Sequence, residues 1–195
     1  MLRALLRGYY SPHIPKLIYK LRGWLMVPFV AFLLVCRLWE VEEDGVSFGL
    51  GGGLLVLGFL LRVWAQTHLH YRLHVKKTLT QTGPYAFVRN PIYLGNTIIL
   101  VSLCFLSELY WFVPIMLAWC VLVYHLTIRY EEAHLQEKYG APYREYMTRI
   151  PRWLPRPKAL LGVGTQRGTL LFSSLIVECP LILLALPFIC KELLA

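Results

Sequence analysis

The sequence predicts an all-α fold, a polytopic bundle of about five transmembrane helices. Of its 195 residues, 57% are hydrophobic and only 16% are charged, and the mean hydropathy is +0.53. Soluble domains carry about 25% charged residues, so this composition is typical of an integral membrane protein. The apolar residues are grouped in about five runs, most of them close to the ~20 residues that a helix needs to cross a bilayer.

The first run, residues 23–39, follows a basic segment, residues 1–22. That segment has no long apolar core and no small-residue cleavage site, which favours an interfacial helix and a turn over a cleaved signal peptide. Trp24 and Trp39 lie at the two ends of the run, where tryptophan anchors a helix at the membrane interface. We therefore predict the first transmembrane helix over residues 23–39.

The second run, residues 46–65, is rich in glycine. A glycine cluster can cradle a phosphate group, but no strand precedes this one. Gly49 and Gly53 lie four residues apart, a spacing that lets membrane helices approach closely. We predict a second helix that packs against a neighbour through Gly49 and Gly53.

Three histidines, His68, His70 and His74, follow in a polar and basic segment, residues 66–77. Their spacing does not place all three on one face of a helix, and no carboxylate or cysteine lies nearby to complete a metal shell. We therefore expect no metal site. The segment is either a solvated basic region at the lipid headgroups, or a region in which one histidine contacts a ligand.

Residues 79–96 place turn-forming and polar residues in an otherwise apolar chain. Gly83-Pro84 predicts a turn, and Asn90-Pro91 predicts a second break at which Pro91 opens the next helix. Beside membrane helices, irregular polar backbone needs water or a polar ligand. We therefore expect this stretch to line a cavity.

Residues 92–106 and 109–128 predict the third and fourth spans, and their very short connection predicts an antiparallel hairpin. The fourth span continues as a helix that ends at Gly140. The hairpin brings the stretch 79–96 close to residues 129–132, Arg-Tyr-Glu-Glu, on one face of the membrane.

A fifth span, kinked or re-entrant, is predicted over residues 168–190, which are apolar but contain Pro180 and Pro187. With the N-terminus in the cytoplasm, every lysine and arginine except Arg37 and Lys191 falls on or near the cytoplasmic side. This asymmetry follows the positive-inside rule and accounts for the net charge of +9 without a nucleic-acid partner. We expect a multi-pass protein of a bacterial inner membrane or an endoplasmic reticulum, with the bilayer as its surroundings and no obligate protein partner.

An ordered set of motifs between residues 62 and 157 resembles the superfamily of integral membrane enzymes that contains the isoprenylcysteine carboxyl methyltransferases and the phospholipid N-methyltransferases. These motifs are Leu79-Thr80, Gly83-Pro84-Tyr85, Val88-Arg89-Asn90-Pro91, Tyr93-Leu94-Gly95, Glu131-Glu132, Tyr139-Gly140 and Ile150-Pro151-Arg152. The resemblance implies S-adenosylmethionine as cofactor, bound at the cytoplasmic face in a pocket of the C-terminal helices. It also implies a lipid-like acceptor, such as an isoprenylcysteine carboxylate, a phospholipid amine or another small hydrophobic molecule.

The resemblance also implies the domain organisation and the site residues. The chain is one methyltransferase domain, residues 1–195, with N-terminal helices (1–65), a cofactor-binding catalytic core (66–157) and a C-terminal transmembrane segment (158–195). The residues expected to bind the cofactor are His68, Gly83, Pro84, Tyr85, Arg89, Asn90, Pro91, Tyr93, Glu131 and Glu132; those expected to act in catalysis are Arg129 and Glu132. Asn90 stands where many relatives have histidine, and asparagine forms hydrogen bonds but does not titrate.

Two other functions remain open at this point. Membrane sterol-type reductases, which use a reduced nicotinamide cofactor, resemble this layout in their C-terminal half, although residues 90–95 are closer to the methyltransferases. A non-catalytic lipid-binding membrane protein with the same fold would bind neither cofactor tightly, and would tolerate neutralisation of Glu131 and Glu132.

Overall fold

The computed structural model describes residues 13–39, 44–70, 79–155, 178, 183 and 186–193. All regular secondary structure within these ranges is helical, which confirms the predicted all-α class. The α-helices are α1 (His13–Leu21), α2 (Val27–Val35), α3 (Asp44–His70), α4 (Pro91–Leu106), α5 (Val113–Tyr139), α6 (Ala141–Arg149) and α7 (Leu186–Leu193). Short 3-10 helices lie in three connections, at Trp24–Met26, Gly83–Ala86 and Tyr110–Phe112.

Two helical segments of the described chain are long and apolar enough to cross a membrane, Gly45–Leu69 within α3 and Tyr110–Tyr139, which contains α5. They correspond to the second and fourth predicted spans. The segments Pro15–Leu21 and Trp24–Val35 together pass the same test but meet at a bend of 76°. With that bent pair counted as one span, the described ranges hold up to three membrane-spanning segments.

The third and fifth predicted spans have different outcomes. α4 forms where the third was expected, but it has only 16 residues, or about 24 Å at the rise of an α-helix. That length is less than the ~30 Å hydrocarbon core of a bilayer, so α4 alone is short for a span. The fifth predicted span lies mostly outside the described residues, although Glu178 and Phe188 within it are buried.

Local sequence signals set the helix ends around the predicted cavity, as expected. α4 begins at Pro91, directly after Asn90 in a non-helical conformation. α5 ends before Gly140, whose φ of +62° lies in the left-handed region that favours glycine. Only residues 107–109 separate α4 from the 3-10 helix before α5, and Tyr93 at the start of α4 contacts Glu131 in the second half of α5, which confirms the antiparallel hairpin.

Glycines do bring α3 and α4 together, but they are not the glycines predicted. A Cβ atom added to Gly49 or Gly53 meets no atom within 4 Å, so neither residue packs against a helix among the described residues. A Cβ added to Gly58 lies 3.0 Å from the carbonyl oxygen of Gly95 in α4, and one added to Gly51 lies 3.1 Å from an α4 backbone nitrogen. Gly51 and Gly58 are two turns apart on one face of α3, which is the face that α4 covers.

Candidate functional site

A cavity of about 980 Å³ lies at the end of the helix hairpin where α4 begins. Its wall combines the C-terminal half of α3, the first turns of α4, the second half of α5 and the segment 19–24. It confirms the expectation that the stretch 79–96 lines a cavity. The predicted cofactor residues in the wall are Tyr85, Arg89, Asn90, Pro91, Tyr93 and Glu131.

Gly83, Pro84 and His68 lie behind this wall and shape the loop. Gly83 has a φ of +62°, and a Cβ added to it would lie 2.4 Å from the His68 ring. His68 is 3% exposed, and its Nδ1 lies 3.0 Å from the carbonyl oxygen of Trp64 one turn earlier in α3. Only glycine combines this backbone conformation with this close approach, so the loop and α3 fit together at this point.

Tyr85 is fixed through its backbone by a residue far along the chain. The hydroxyl of Tyr146, in α6, donates a hydrogen bond of 2.7 Å to the carbonyl oxygen of Tyr85. Burial raises the pKa of the Tyr146 phenol above its usual range, so that this hydroxyl stays protonated and continues to donate. The Tyr85 side chain is thereby held in the cavity wall.

Tyr93 and Glu131 join the two polar segments that the hairpin was expected to bring together. The Tyr93 hydroxyl donates a hydrogen bond of 2.8 Å to Oε1 of Glu131, which connects the first turn of α4 to α5. The Tyr93 ring packs on Tyr124, with the ring centroids 4.9 Å apart. These contacts confirm that the two segments meet, and they orient the Glu131 carboxylate at the cavity.

Glu132 is placed differently from its neighbour. Glu132 is 5% exposed and is not part of the cavity wall, and its carboxylate lies between two arginines. Oε1 lies 3.0 Å from Nη1 of Arg89 and 3.2 Å from Nε of Arg152, whose Nη2 donates to Oε2. We call Glu132, Arg89 and Arg152 the Glu132 triad. Because it contains two cations and one anion, the triad retains a net positive charge beside the cavity. Nε of Arg89 is buried and has no hydrogen-bond partner among the described residues.

Arg89 and Asn90 are held by the segment that carries Arg152. The backbone N–H of Arg89 donates to the carbonyl oxygen of Pro151 at 2.9 Å, and the Asn90 side-chain amide donates to the carbonyl oxygen of Arg152 at 3.5 Å. Both contacts satisfy polar groups that the break before α4 would otherwise leave unpaired. The loop 83–91 is thus supported on both sides, by α3 and by residues 151–152.

Arg129, predicted as catalytic, is exposed on α5 and is not part of the cavity wall. It lies two residues before Glu131, on a different face of the helix. The structure therefore gathers six predicted residues at the cavity, keeps His68, Gly83, Pro84 and Glu132 behind it, and leaves Arg129 outside. The roles given to these residues stay predictions.

Sequence reasoning missed Arg62, Asn96 and Glu178. Nε of Arg62 lies 2.7 Å from Oε2 of Glu178 and Nη2 lies 3.1 Å from Oε1, while Nη1 donates to the Asn96 side chain. Arg62 and Asn96 line the cavity. A signal was present, since an arginine and a glutamate each interrupt an apolar run, and charged residues within membrane segments usually have a partner.

The N-terminal wall residues were also missed. Tyr19, Lys20, Arg22 and Trp24 come from the segment 19–24, and they line the cavity together with residues between 62 and 139 of the chain. No motif in residues 13–26 indicates this contact, because it depends on how the bent pair α1–α2 folds back on α5.

The described residues contain no group of three or more histidine, cysteine, aspartate or glutamate side chains that could hold a metal ion. Of the three histidines considered from the sequence, His74 lies outside the described residues, and so does the side chain of His70.

Comparison with known proteins gives a family model and two curated relatives. The phospholipid methyltransferase model matches residues 46–142. The chain is 28% identical over 116 residues to the cobalt-zinc-cadmium resistance protein CzcN of Cupriavidus metallidurans, covering 60% of this chain and 51% of that protein. It is 30% identical over 95 residues to the nickel-cobalt-cadmium resistance protein NccN of Alcaligenes xylosoxydans xylosoxydans, covering 49% of this chain and 43% of that protein. The chain thus spans about half the length of the curated relatives it matches. No solved structure matches it.

Proposed function

The chain belongs to the superfamily of integral membrane methyltransferases that includes the phospholipid methyltransferases, and from this we propose that it transfers a methyl group from S-adenosylmethionine to a lipid-like acceptor. We place the reaction at the cytoplasmic face of a multi-pass membrane protein. The observation that carries the proposal is the cavity wall, in which a glutamate carboxylate and tyrosine rings lie beside apolar helices.

The cavity suits the cofactor in size and in chemistry. Its volume of about 980 Å³ is at the upper end of the ~300–1,000 Å³ common for small-molecule sites, which leaves room for the reactive end of an acceptor as well. S-adenosylmethionine carries a sulfonium and an ammonium group. The rings of Tyr85 and Tyr93 and the Glu131 carboxylate are groups that attract such cations.

The residues of the chain act mainly by positioning. Glu131 would hold the ammonium group, with its carboxylate oriented by Tyr93. Arg89 lies in the cavity wall and would donate to an oxygen of the cofactor, while the Glu132 triad keeps the loop in place. When bound, the cofactor supplies a methyl group whose bond to sulfur breaks with the electron pair remaining on sulfur, as an acceptor lone pair forms the new bond. Such a displacement depends on alignment of the reactants and on exclusion of water.

The exposed Arg129 has a separate proposed role. It lies on the described surface of α5, beyond the cavity wall. We propose that it contacts the polar headgroup of the acceptor rather than the cofactor. Arginine suits this role because its guanidinium binds phosphate or carboxylate groups in a bidentate manner.

The relatives are named for resistance to cobalt, zinc, cadmium and nickel. Those names describe a process in the cell and no reaction. We propose that a protein of this type modifies a lipid-like component of the membrane under metal stress. The acceptor should therefore be sought by comparing lipid extracts of cells grown with and without these metals.

Calorimetric titration of the purified protein in detergent tests the cofactor. S-adenosylmethionine and S-adenosylhomocysteine should bind the wild type, and Glu131→Gln should weaken binding about tenfold or more because a charge-assisted hydrogen bond is lost. Glu137→Gln is the matched control, since Glu137 is exposed on the same helix outside the cavity wall.

Two results would overturn the proposal. Tighter binding of NADPH than of either adenosyl ligand would favour a reductase. No binding of any of the three ligands by folded wild-type protein would favour a non-catalytic lipid-binding protein.

A further inference from the structure

Arg22 is the arginine that the N-terminal segment contributes to the cavity wall. Its Nη1 donates a hydrogen bond of 2.8 Å to the carbonyl oxygen of Tyr19, and its guanidinium lies over the Tyr19 ring, 4.3 Å from the centroid. The Tyr19 ring packs in turn on Tyr130 of α5, with centroids 5.2 Å apart. Neutral groups therefore hold the guanidinium in place.

Arg22 differs in this respect from the two other arginines of the wall. Arg62 is paired with Glu178 at 2.7 Å, and Arg89 with Glu132 at 3.0 Å. No described carboxylate forms an ion pair with Arg22. A half-buried guanidinium that forms no ion pair with a described carboxylate is suited to bind an anion, and its planar fork matches the two oxygens of a carboxylate.

Glu131 lies in the same wall and interacts electrostatically with Arg22, although the two groups form no ion pair. A cation and an anion held apart in this way complement a ligand that carries both charges close together. The amino-acid end of S-adenosylmethionine has an ammonium and a carboxylate on one carbon. We propose that Arg22 binds this carboxylate while Glu131 binds the ammonium group. The inference rests on the proposed function, because it takes the cofactor to bind in this cavity.

Arg22 lies outside residues 46–142, which the family model matches. Cofactor recognition in this chain is therefore completed by a segment that the matched core does not contain. The aromatic contact between Tyr19 and Tyr130 links that segment to α5, the helix that carries Glu131. Arg22 and Glu131 are thus positioned by the same pair of packed elements.

The test compares two ligands that differ only in the carboxylate: S-adenosylhomocysteine and its decarboxylated analogue, which keeps the amine. Calorimetry in detergent would be run on wild type, Arg22→Gln, Arg22→Lys and the control Lys16→Gln. Lys16 is exposed on α1 and is not part of the cavity wall, so its substitution removes the same charge elsewhere. Thermal unfolding of each variant checks that it is folded.

We expect Arg22→Gln to weaken binding of S-adenosylhomocysteine about tenfold or more, as for loss of a hydrogen bond to a charged group, with less than a twofold change for the decarboxylated analogue. Arg22→Lys should recover part of the loss, and Lys16→Gln should bind both ligands as the wild type does.

Equal weakening of both ligands would assign Arg22 a structural role and overturn the inference. Unchanged affinity for both would overturn it as well. Failure of the folded wild type to bind S-adenosylhomocysteine would instead refute the proposed function, and the inference with it.

Discussion

Glu131 and Glu132 are adjacent in the sequence, yet their carboxylates have different surroundings. Successive residues of a helix point about 100° apart, so that Glu131 faces the cavity and Tyr93 while Glu132 is enclosed by Arg89 and Arg152. The acidic pair was predicted as one binding feature, because the sequence does not tell which side of α5 faces α4. The turn at Gly83 was predictable, since its conformation depends on local chemistry.

Replacement of Glu132 by glutamine should destabilise the protein more than it affects ligand contacts. The substitution leaves two arginines, with side chains only 12% and 27% exposed, without their anion. We expect the free energy of unfolding to fall by about 2–3 kcal/mol, somewhat less than for complete loss of a buried ion-pair partner because the amide still accepts a hydrogen bond. Thermal unfolding in detergent measures the change. An effect no larger than that of Glu137→Gln would contradict this account of the Glu132 triad.

At the scale of elements, α3 and α4 form the closest helix pair around the site. Sequence reasoning correctly expected glycines of residues 46–65 to mediate helix packing, because small residues allow close approach. The predicted pair, Gly49 and Gly53, was wrong, because the glycine-rich run has glycines on several faces of α3. Only the folded structure shows which face meets α4. The ends of α4 and α5 were predicted correctly because Pro91 and Gly140 act locally.

Gly95→Ala should therefore separate α3 and α4. The new Cβ would lie 2.7 Å from Cγ of Arg62 and 3.0 Å from the carbonyl oxygen of Gly58, and the backbone contact cannot be relieved by a rotamer change. We expect a loss of about 1–3 kcal/mol in the free energy of unfolding, as for overpacking. Gly49→Ala is the control: its Cβ meets no atom within 4 Å, so it should be neutral or stabilising by up to about 1 kcal/mol. Equal unfolding temperatures for the two variants would refute this packing.

At the scale of the whole molecule, the Arg62–Glu178 ion pair joins residues 116 positions apart. It ties the C-terminal segment to α3 beside the cavity, and Glu178 is only 1% exposed. Composition was sufficient to predict a membrane protein, and the order of charges predicts its orientation. Neither property indicates which remote segments meet, so the sequence does not predict that Arg62 pairs with Glu178 or that the N-terminal residues line the cavity.

Arg62→Met alone should strongly destabilise the protein, because it leaves a buried carboxylate without a partner. Breaking a buried pair from one side typically costs about 3–5 kcal/mol, whereas replacing both partners by apolar residues is often nearly neutral. The double variant Arg62→Met, Glu178→Met should therefore recover most of the lost stability. The comparison is made by thermal unfolding of the four proteins in detergent. Additive losses in the double variant would mean that the two side chains do not act as a pair.

The Glu132 triad has a consequence for the dynamics of ligand entry. It connects the loop that carries Arg89, the second half of α5 and the segment with Arg152 through contacts internal to the chain. The loop with Arg89 is therefore held in place without a ligand, so association loses little additional conformational entropy. Binding at this cavity should follow a single-step mechanism, in which the observed association rate rises linearly with ligand concentration instead of reaching a plateau set by loop closure.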